Sequence, residues 1–228
     1  MSNEELSINY VIKPWGHEYR LNLSDYLCIT FLIINSGSRT SLHCHPEKLT
    51  SLVCINGEGR INFLNNSIKF GKMNSFIVRT GLFHQIENIS NEKLLVLEFE
   101  NPNDKDDLIR FSDDFGRQNQ PYENGKQISD SNQGMEIEFL KSFGKLNEWV
   151  YENLTFKRLG VEDLSSDKIS ETSIFSVMRG RIFESNSDKT ILRPGDSING
   201  LTLNKILESF QYSLDFEVLS VIEKVSNE

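Results

Sequence analysis

Between residues 26 and 100 the chain alternates short apolar runs with turn residues: YLCITFLII, NSGSRT, SLVCI, NGEG, RINFL, NNS, FIV, RTG and LLVLEFE. Runs of this length bounded by Gly, Asn and Ser predict short strands joined by close turns. NGEG between two apolar runs predicts a tight turn, because Asn and Gly tolerate positive φ. Many such strands predict an all-β sandwich or barrel.

The pattern changes over residues 103–134, which are polar, acidic and rich in Asp, Asn, Gln and Gly. They predict a surface crossover or linker. In GMEIEFLKSFGKLNEWVYENL, Phe139, Leu140, Phe143, Leu146, Trp149 and Val150 recur at three- and four-residue steps. One amphipathic helix is expected there, covering a barrel or bridging the halves. Beyond it, SIFSVMRGRIFES followed by KTILRPGDSI echoes SLVCINGEGRINF followed by IKFGKMNSFIV. A weak internal repeat of this kind predicts two barrels of one design. The expected division is a first barrel over 1–120, a linker with a helix over 121–150, and a second barrel over 151–228.

A formal charge of −9 argues against a nucleic-acid binder, which needs a basic surface. No apolar run approaches the roughly 20 residues that cross a bilayer, and MSNEELSINY is acidic where a signal peptide is basic and then apolar. A cytoplasmic protein with no membrane partner is expected. Cys28, Cys44 and Cys54 form an odd set without metal-ribbon spacing, which suits a reducing compartment and buried apolar roles.

The chemistry-bearing residues are histidines, of which the chain has four. In a strand His43 and His45 of SLHCHPEKLT share a face, with Cys44 on the other, so their imidazoles can chelate. His84 of GLFHQIEN follows a glycine turn and opens another apolar run, from which it can cross to the first pair in a small barrel. The second half contains no histidine and cannot copy the arrangement. Its expected role is structural.

Gly37, His43, His45, Thr50 and Gly57, followed by Gly81, His84 and Asn88, resemble in spacing the two motifs of the cupin superfamily. The flanks KPWGHEYRL and NDKDDLIRFSDDFGR extend the likeness over residues 11–117 and resemble the cupin domain of mannose-6-phosphate isomerases and related sugar-nucleotide proteins. The resemblance implies a double-stranded β-helix barrel, here a bicupin whose second barrel is degenerate. It also implies a divalent metal (Zn, Mn or Fe) held by His43, His45 and His84, and chemistry on a sugar phosphate or nucleotide sugar in surface-polysaccharide synthesis. Two positions depart from the family: its glutamate ligand is Thr50 here, and its proline before the second-motif histidine is Arg79. Three neutral imidazoles still bind such metals and leave positions open.

A metal with open positions suits aldose–ketose isomerisation or epimerisation, which also needs a base and a cation for phosphate. Glu47, His17 and Glu18 are the candidate bases, Glu47 being also a candidate ligand in an off-family register. Arg79 is the first candidate for phosphate, with Lys48 and Lys13 next, since the guanidinium presents a planar fork to phosphate oxygens. The alternative reading of each is an exposed loop charge. Trp15 is a core or rim aromatic that could also stack on a sugar ring. Arg110 and Arg117 are expected to pair with neighbouring Asp residues in a closing segment. The partner is then a small sugar, and a homodimer is expected as for other barrels of this size. Two rivals stand beside the isomerase: a non-catalytic sugar- or ligand-binding cupin, favoured by the missing glutamate, and an iron-dependent dioxygenase.

Overall fold

The computed structural model describes residues 7–128, 133–164 and 169–224. It divides into two compact units, 1–132 and 133–228. In the first, twelve strands run in chain order: β1 (Ser7–Lys13), β2 (Gly16–Ser24), β3 (Leu27–Ile34), β4 (Leu42–Cys44), β5 (Leu49–Asn56), β6 (Glu58–Asn62), β7 (Ser67–Gly71), β8 (Ser75–Val78), β9 (Gln85–Asn88), β10 (Leu94–Asn101), β11 (Ile109–Ser112) and β12 (Lys126–Gln127). A seven-stranded sheet has the order β12-β1-β2-β3-β10-β5-β8 and faces two small sheets, β7-β6-β9 and β11-β4. All of the pairings are antiparallel.

Alternation along each strand decides what fills the interior. Leu32 and Ile34 of β3, Leu52 and Cys54 of β5, and Leu94 and Val96 of β10 pack with Trp15, Ile61, Phe70, Val78 and Ile86 into one apolar cluster. The inward series of β10 continues past Val96 with Glu98 and Glu100, and that of β5 is preceded by Lys48. The interior therefore has an apolar half and a charged half, and the change falls between Val96 and Glu98. Gly16 holds Trp15 at this boundary. Its φ is 149°, and a Cβ there would lie 2.0 Å from the Ile33 carbonyl oxygen, so only glycine lets β2 start against β3.

Two local expectations change. NGEG is not a hairpin: β5 ends at Asn56 in the large sheet and β6 begins at Glu58 in a small one, so Gly57 turns the chain from sheet to sheet. The same positive-φ chemistry serves either purpose, and pairing partners are set by the barrel. The segment read as a linker is also part of the first unit, because Lys126 and Gln127 pair with Tyr10 and Asn9 of β1.

The second unit opens with α1 (Met135–Lys145) and continues through β13 (Glu148–Tyr151), β14 (Leu154–Gly160), β15 (Ile174–Arg179), β16 (Ile182–Phe183), β17 (Thr190–Leu192), β18 (Ser197–Asn199), α2 (Gly200–Ser209), β19 (Gln211–Tyr212) and β20 (Glu217–Glu223). The helix is shorter than its periodicity predicts. Trp149 and Val150 lie in a hairpin strand, where burial alternates and Trp149 pairs with Phe156. Phe139 and Phe143 of α1 pack on Trp149, so the helix covers the sheet of its own unit.

The order β14-β20-β15-β18 repeats β3-β10-β5-β8, and β17-β16-β19 repeats β7-β6-β9. Two features differ. No counterpart of β4 exists among the described residues, and α2 is inserted before β19, where the first unit has His84 before β9. Leu203 of α2 is buried in the core of this unit, with Ile206, Leu207 and Phe210 packed against it. The place equivalent to His84 is thus apolar. No helix among the described residues is long and apolar enough to cross a membrane.

Candidate metal centre and its cavity

His43 lies on β4, His45 directly follows it, and His84 directly precedes β9. Isolated antiparallel pairing joins His43 to His84, through His43 N–H to the His84 carbonyl at 3.0 Å and the reverse bond at 2.8 Å. The ring centroids are 4.4 Å apart for His43 and His84, 5.0 Å for His43 and His45, and 5.6 Å for His45 and His84. One nitrogen from each ring can be chosen so that all three lie within 4.8 Å of one another.

Backbone carbonyls select which nitrogen that is. Nδ1 of His43 lies 2.8 Å from the Ser41 oxygen, that of His45 2.6 Å from the Asp107 oxygen, and that of His84 3.0 Å from the Leu82 oxygen. A carbonyl only accepts, so each Nδ1 carries the proton and each Nε2 presents a lone pair. Nε2 of His84 is buried without a hydrogen-bond partner. An orphaned buried acceptor costs about 1–3 kcal/mol unless something fills its coordination. Burial, and after it the neighbouring imidazoles, hold His43 well below the ordinary histidine range; burial and the Lys48 ammonium lower His45; burial and His45 push His84 down to about 3. Neutral imidazoles with converging lone pairs fit a divalent metal, and each Nδ1 hydrogen bond supplies the outer support that metal-binding histidines use.

The triad opens into a cavity. Trp15, Lys48 and the three histidines line it; Glu47, His17 and Arg79 do not. Glu47 and Arg79 are exposed, and His17 points to the opposite face of β2, 5.5 Å from the rings of Tyr10 and Tyr19. Strand alternation explains His17, since Glu18 and Arg20 take the inward positions. Thr50 is fully buried, its hydroxyl has no hydrogen-bond partner, and its cross-strand neighbour is Glu100.

The residues that sequence reasoning missed are Arg20, Glu98, Glu100, Asp107 and Tyr122. Glu100 receives Lys48 Nζ at 2.5 Å and Arg20 Nη1 at 3.0 Å, all three side chains being buried. Burial alone would raise its carboxyl, but the two cations more than offset that and hold it below the usual carboxylate range. Glu98 takes the opposite course: burial, reinforced by the Glu100 charge, pushes it up to about 8. The two inward carboxyls thus have environments that drive their pKa values apart. The available signal was a pair of acidic residues at inward positions of an otherwise apolar strand, LLVLEFE.

Asp107 does two things. Its carbonyl orients His45, while its carboxylate accepts the backbone N–H of Lys48 at 2.8 Å and of Glu47 at 3.1 Å, fixing the turn that carries His45. Arg117 pairs with Asp113 as expected, but Arg110 reaches Glu123 at 3.5 Å instead of an Asp neighbour. The Asp107→Ala variant is predicted to weaken Zn²⁺ affinity by roughly tenfold or more, as removal of outer support does elsewhere. Competition with a chelating dye measures it, and an unchanged affinity would show that the turn holds His45 without the carboxylate.

Residues 2–113 match the sequence profile described as mannose-6-phosphate isomerase C-terminal. The mannose-1-phosphate guanylyltransferase of Escherichia coli (strain K12) is 23% identical over 109 residues, covering 47% of this chain and 23% of that protein. The alginate biosynthesis protein AlgA of Pseudomonas putida is 21% identical over 120 residues, covering 52% and 25% respectively. The chain thus spans about a quarter of the length of the curated relatives it matches. Among solved structures, the capsular polysaccharide assembling protein CapF of Staphylococcus aureus aligns with a TM-score of 0.40 and 18% identity over 47% of this chain and 33% of that one. In its antiparallel β architecture and its two histidine motifs, the matched first unit resembles the cupin domain of mannose-6-phosphate isomerase-like sugar enzymes.

Proposed function

We propose that the first unit is a metal-dependent isomerase or epimerase acting on a phosphorylated or nucleotide-linked sugar in polysaccharide synthesis. The observation that carries this reading is the composition of one cavity. It combines three convergent imidazoles, the carboxyls of Glu18, Glu98 and Glu100, and the cations Lys13, Arg20, Lys48, Lys105, Arg110 and Arg117. Such an excess of cations on a chain of net charge −9 favours an anionic ligand.

Zn²⁺, Mn²⁺ or Fe²⁺ held by the Nε2 atoms of His43, His45 and His84 would supply Lewis acidity at a substrate carbonyl oxygen. The chain's own residues do the rest. Glu98 removes the proton from the hydroxyl-bearing carbon beside that carbonyl and returns it to the former carbonyl carbon, while the hydroxyl proton passes to the former carbonyl oxygen. A carboxyl with a pKa near the working pH is suited to both directions of transfer. Glu100 remains ionised on Lys48 and Arg20 and keeps those cations aligned along the cavity wall. Trp15 closes the apolar side beneath the ring. Its carbonyl accepts from Asn35 N at 3.0 Å, so its position is fixed by the backbone.

The second unit has a supporting role in this reading: a second cupin barrel whose metal strand is absent among the described residues and whose interior is filled by α2. The division would then be a metal-binding barrel ending near residue 128 and a structural barrel from 133 onward. Thr50, standing where the family has a carboxylate ligand, favours a second reading in which the first barrel binds a sugar without converting it.

Elemental analysis of the purified protein beside His45→Ala, followed by assay of the loaded protein on a panel of sugar phosphates and nucleotide sugars, tests the proposal. It predicts near-stoichiometric Zn, Mn or Fe that is lost in the variant, and turnover by the wild type. Wild-type protein that stays empty after incubation with all three metals contradicts it; metal and ligand binding without turnover selects the binding protein. Glu98 makes a separate prediction on metal-free protein. A carboxyl with a folded pKa of about 8 against an ordinary value of 4.5 binds its proton more tightly when folded, so its contribution to stability falls as pH rises through that window. Urea midpoints of Glu98→Gln should therefore gain on wild type between about pH 5 and 8. Parallel profiles would mean that Glu98 ionises normally.

A further inference from the structure

Three buried cations in the metal cavity converge on one carboxylate supplied by the chain itself. Lys13 Nζ lies 2.6 Å from Oε2 of Glu123, Arg110 Nη2 lies 3.5 Å from the same oxygen, and Arg117 Nη1 lies 2.5 Å from Oε1. The cationic side chains are only 3%, 4% and 7% exposed, while Glu123 is 24% exposed. Lys13, Arg110 and Arg117 all line the cavity that holds the histidines, whereas Glu123 lines a separate polar cleft with Asn9, Asn22, Asn103 and Asn124. Glu123 thus reaches the cations from the neighbouring cleft, and Arg20, Lys105 and Tyr122 border both spaces.

Two further observations describe the seat. Arg110 Nε is buried and has no hydrogen-bond partner, although its Nη1 donates to the carbonyls of Arg117 and Gln120. One donor of the cluster is therefore left over after Glu123 is in place. Arg110 also stands directly across from His43 in the β4–β11 pairing, so this unused donor belongs to the residue beside the metal triad. The same cations make further contacts: Arg117 with Asp113 at 2.6 Å, Lys13 with Glu18 at 3.4 Å, Lys13 Nζ over the Tyr122 ring at 3.8 Å and Arg117 over the Phe115 ring at 5.7 Å.

We infer that Lys13, Arg110 and Arg117 form the anion subsite of the cavity, suited to a phosphoryl group, and that Glu123 occupies it as an internal surrogate which the ligand displaces. A carboxylate offers two oxygens to a cluster arranged around three cations. A phosphoryl group offers one more and one more charge, and guanidinium groups bind it in paired hydrogen bonds. Displacement is sterically simple, because Glu123 sits on the 118–127 strap. Beyond Tyr122 and Glu123 the strap's sheet pairing is the two-residue β12, and the cleft behind Glu123 can receive its side chain. The inference deepens the sugar-phosphate reading and rests on it for the identity of the natural ligand. It also replaces Arg79, which is exposed and outside the cavity, as the phosphate-binding residue.

The test uses inorganic phosphate as probe and metal-free full-length protein, in chloride buffer of fixed ionic strength. Calorimetric titration should show Glu123→Gln binding phosphate roughly tenfold tighter than wild type, with the gain abolished when Arg117→Gln is added. In wild type, saturating phosphate should increase protease cleavage within residues 118–127 as the strap is released. Equal or weaker phosphate binding by a folded Glu123→Gln variant overturns the inference. Should that variant not fold, the wild-type digestion decides, and cleavage indifferent to phosphate overturns it. Neither metal nor sugar enters this titration, so a negative result leaves the isomerase reading standing. Conversely, tight phosphate binding beside absent turnover removes the isomerase and keeps the subsite.

Discussion

Three backbone carbonyls, of Ser41, Leu82 and Asp107, each take the Nδ1 proton of one imidazole, and the candidate site depends on that arrangement. Carbonyls cannot donate, so the tautomer is decided by the backbone and does not vary with the ligand. The carbonyls in turn are held in place by the barrel. Ser41 leads into β4, Leu82 closes the turn before β9, and Asp107 anchors the loop ahead of β11. The direct pairing of His43 with His84 fixes the distance between two rings, and the Asp107 carboxylate fixes the turn that presents the third. Sheet geometry thereby sets the placement of the three rings.

The charged half of the interior follows from the same scaffold. Glu98 and Glu100 continue the inward series that begins with Leu94 and Val96, so the strand that seals the apolar core also delivers two carboxyls to the cavity. A buried Lys48–Glu100–Arg20 cluster is weak as a stabiliser, because desolvation offsets much of its attraction. Breaking it by removing one partner costs about 3–5 kcal/mol, so it makes the orientation of its members hard to change. The second unit shows what the same strand order does without this equipment. Where the first unit has His84 it has an inserted helix, and Leu203 with its neighbours fills the interior with apolar side chains.

Much of this was legible along the chain. The two-residue step of His43 and His45, and the glycine turn before His84, placed the triad because strand periodicity is short-range and unambiguous. The sequence echo between the halves has a counterpart in the recurring strand order of the two units. Partners that meet only through tertiary pairing were not legible. Glu98 and Glu100 stand inside LLVLEFE, which was counted as one of the apolar runs, and their inward direction appears only once β10 is set between β3 and β5. Asp107 and Glu123 lay in a polar stretch read as linker, yet they make contacts 60 and 110 residues away in sequence. Glu47 and Arg79 show the complementary effect: both stand close to a motif in sequence, yet both are exposed and neither lines the cavity. The helix boundary was lost because Trp149 satisfies helical spacing and strand alternation equally well, and pairing with β14 decided between them.

The central claim is that the three imidazoles are neutral, protonated at Nδ1, and aimed as a set of Nε2 lone pairs. Long-range proton–nitrogen correlation spectra of the metal-free protein at neutral pH read this directly, with equimolar Zn²⁺ added afterwards. The account predicts the Nδ1–H tautomer for His43, His45 and His84, and a zinc-induced shift confined to their Nε2 resonances. An Nε2–H tautomer or an imidazolium at any one of the three positions would contradict it.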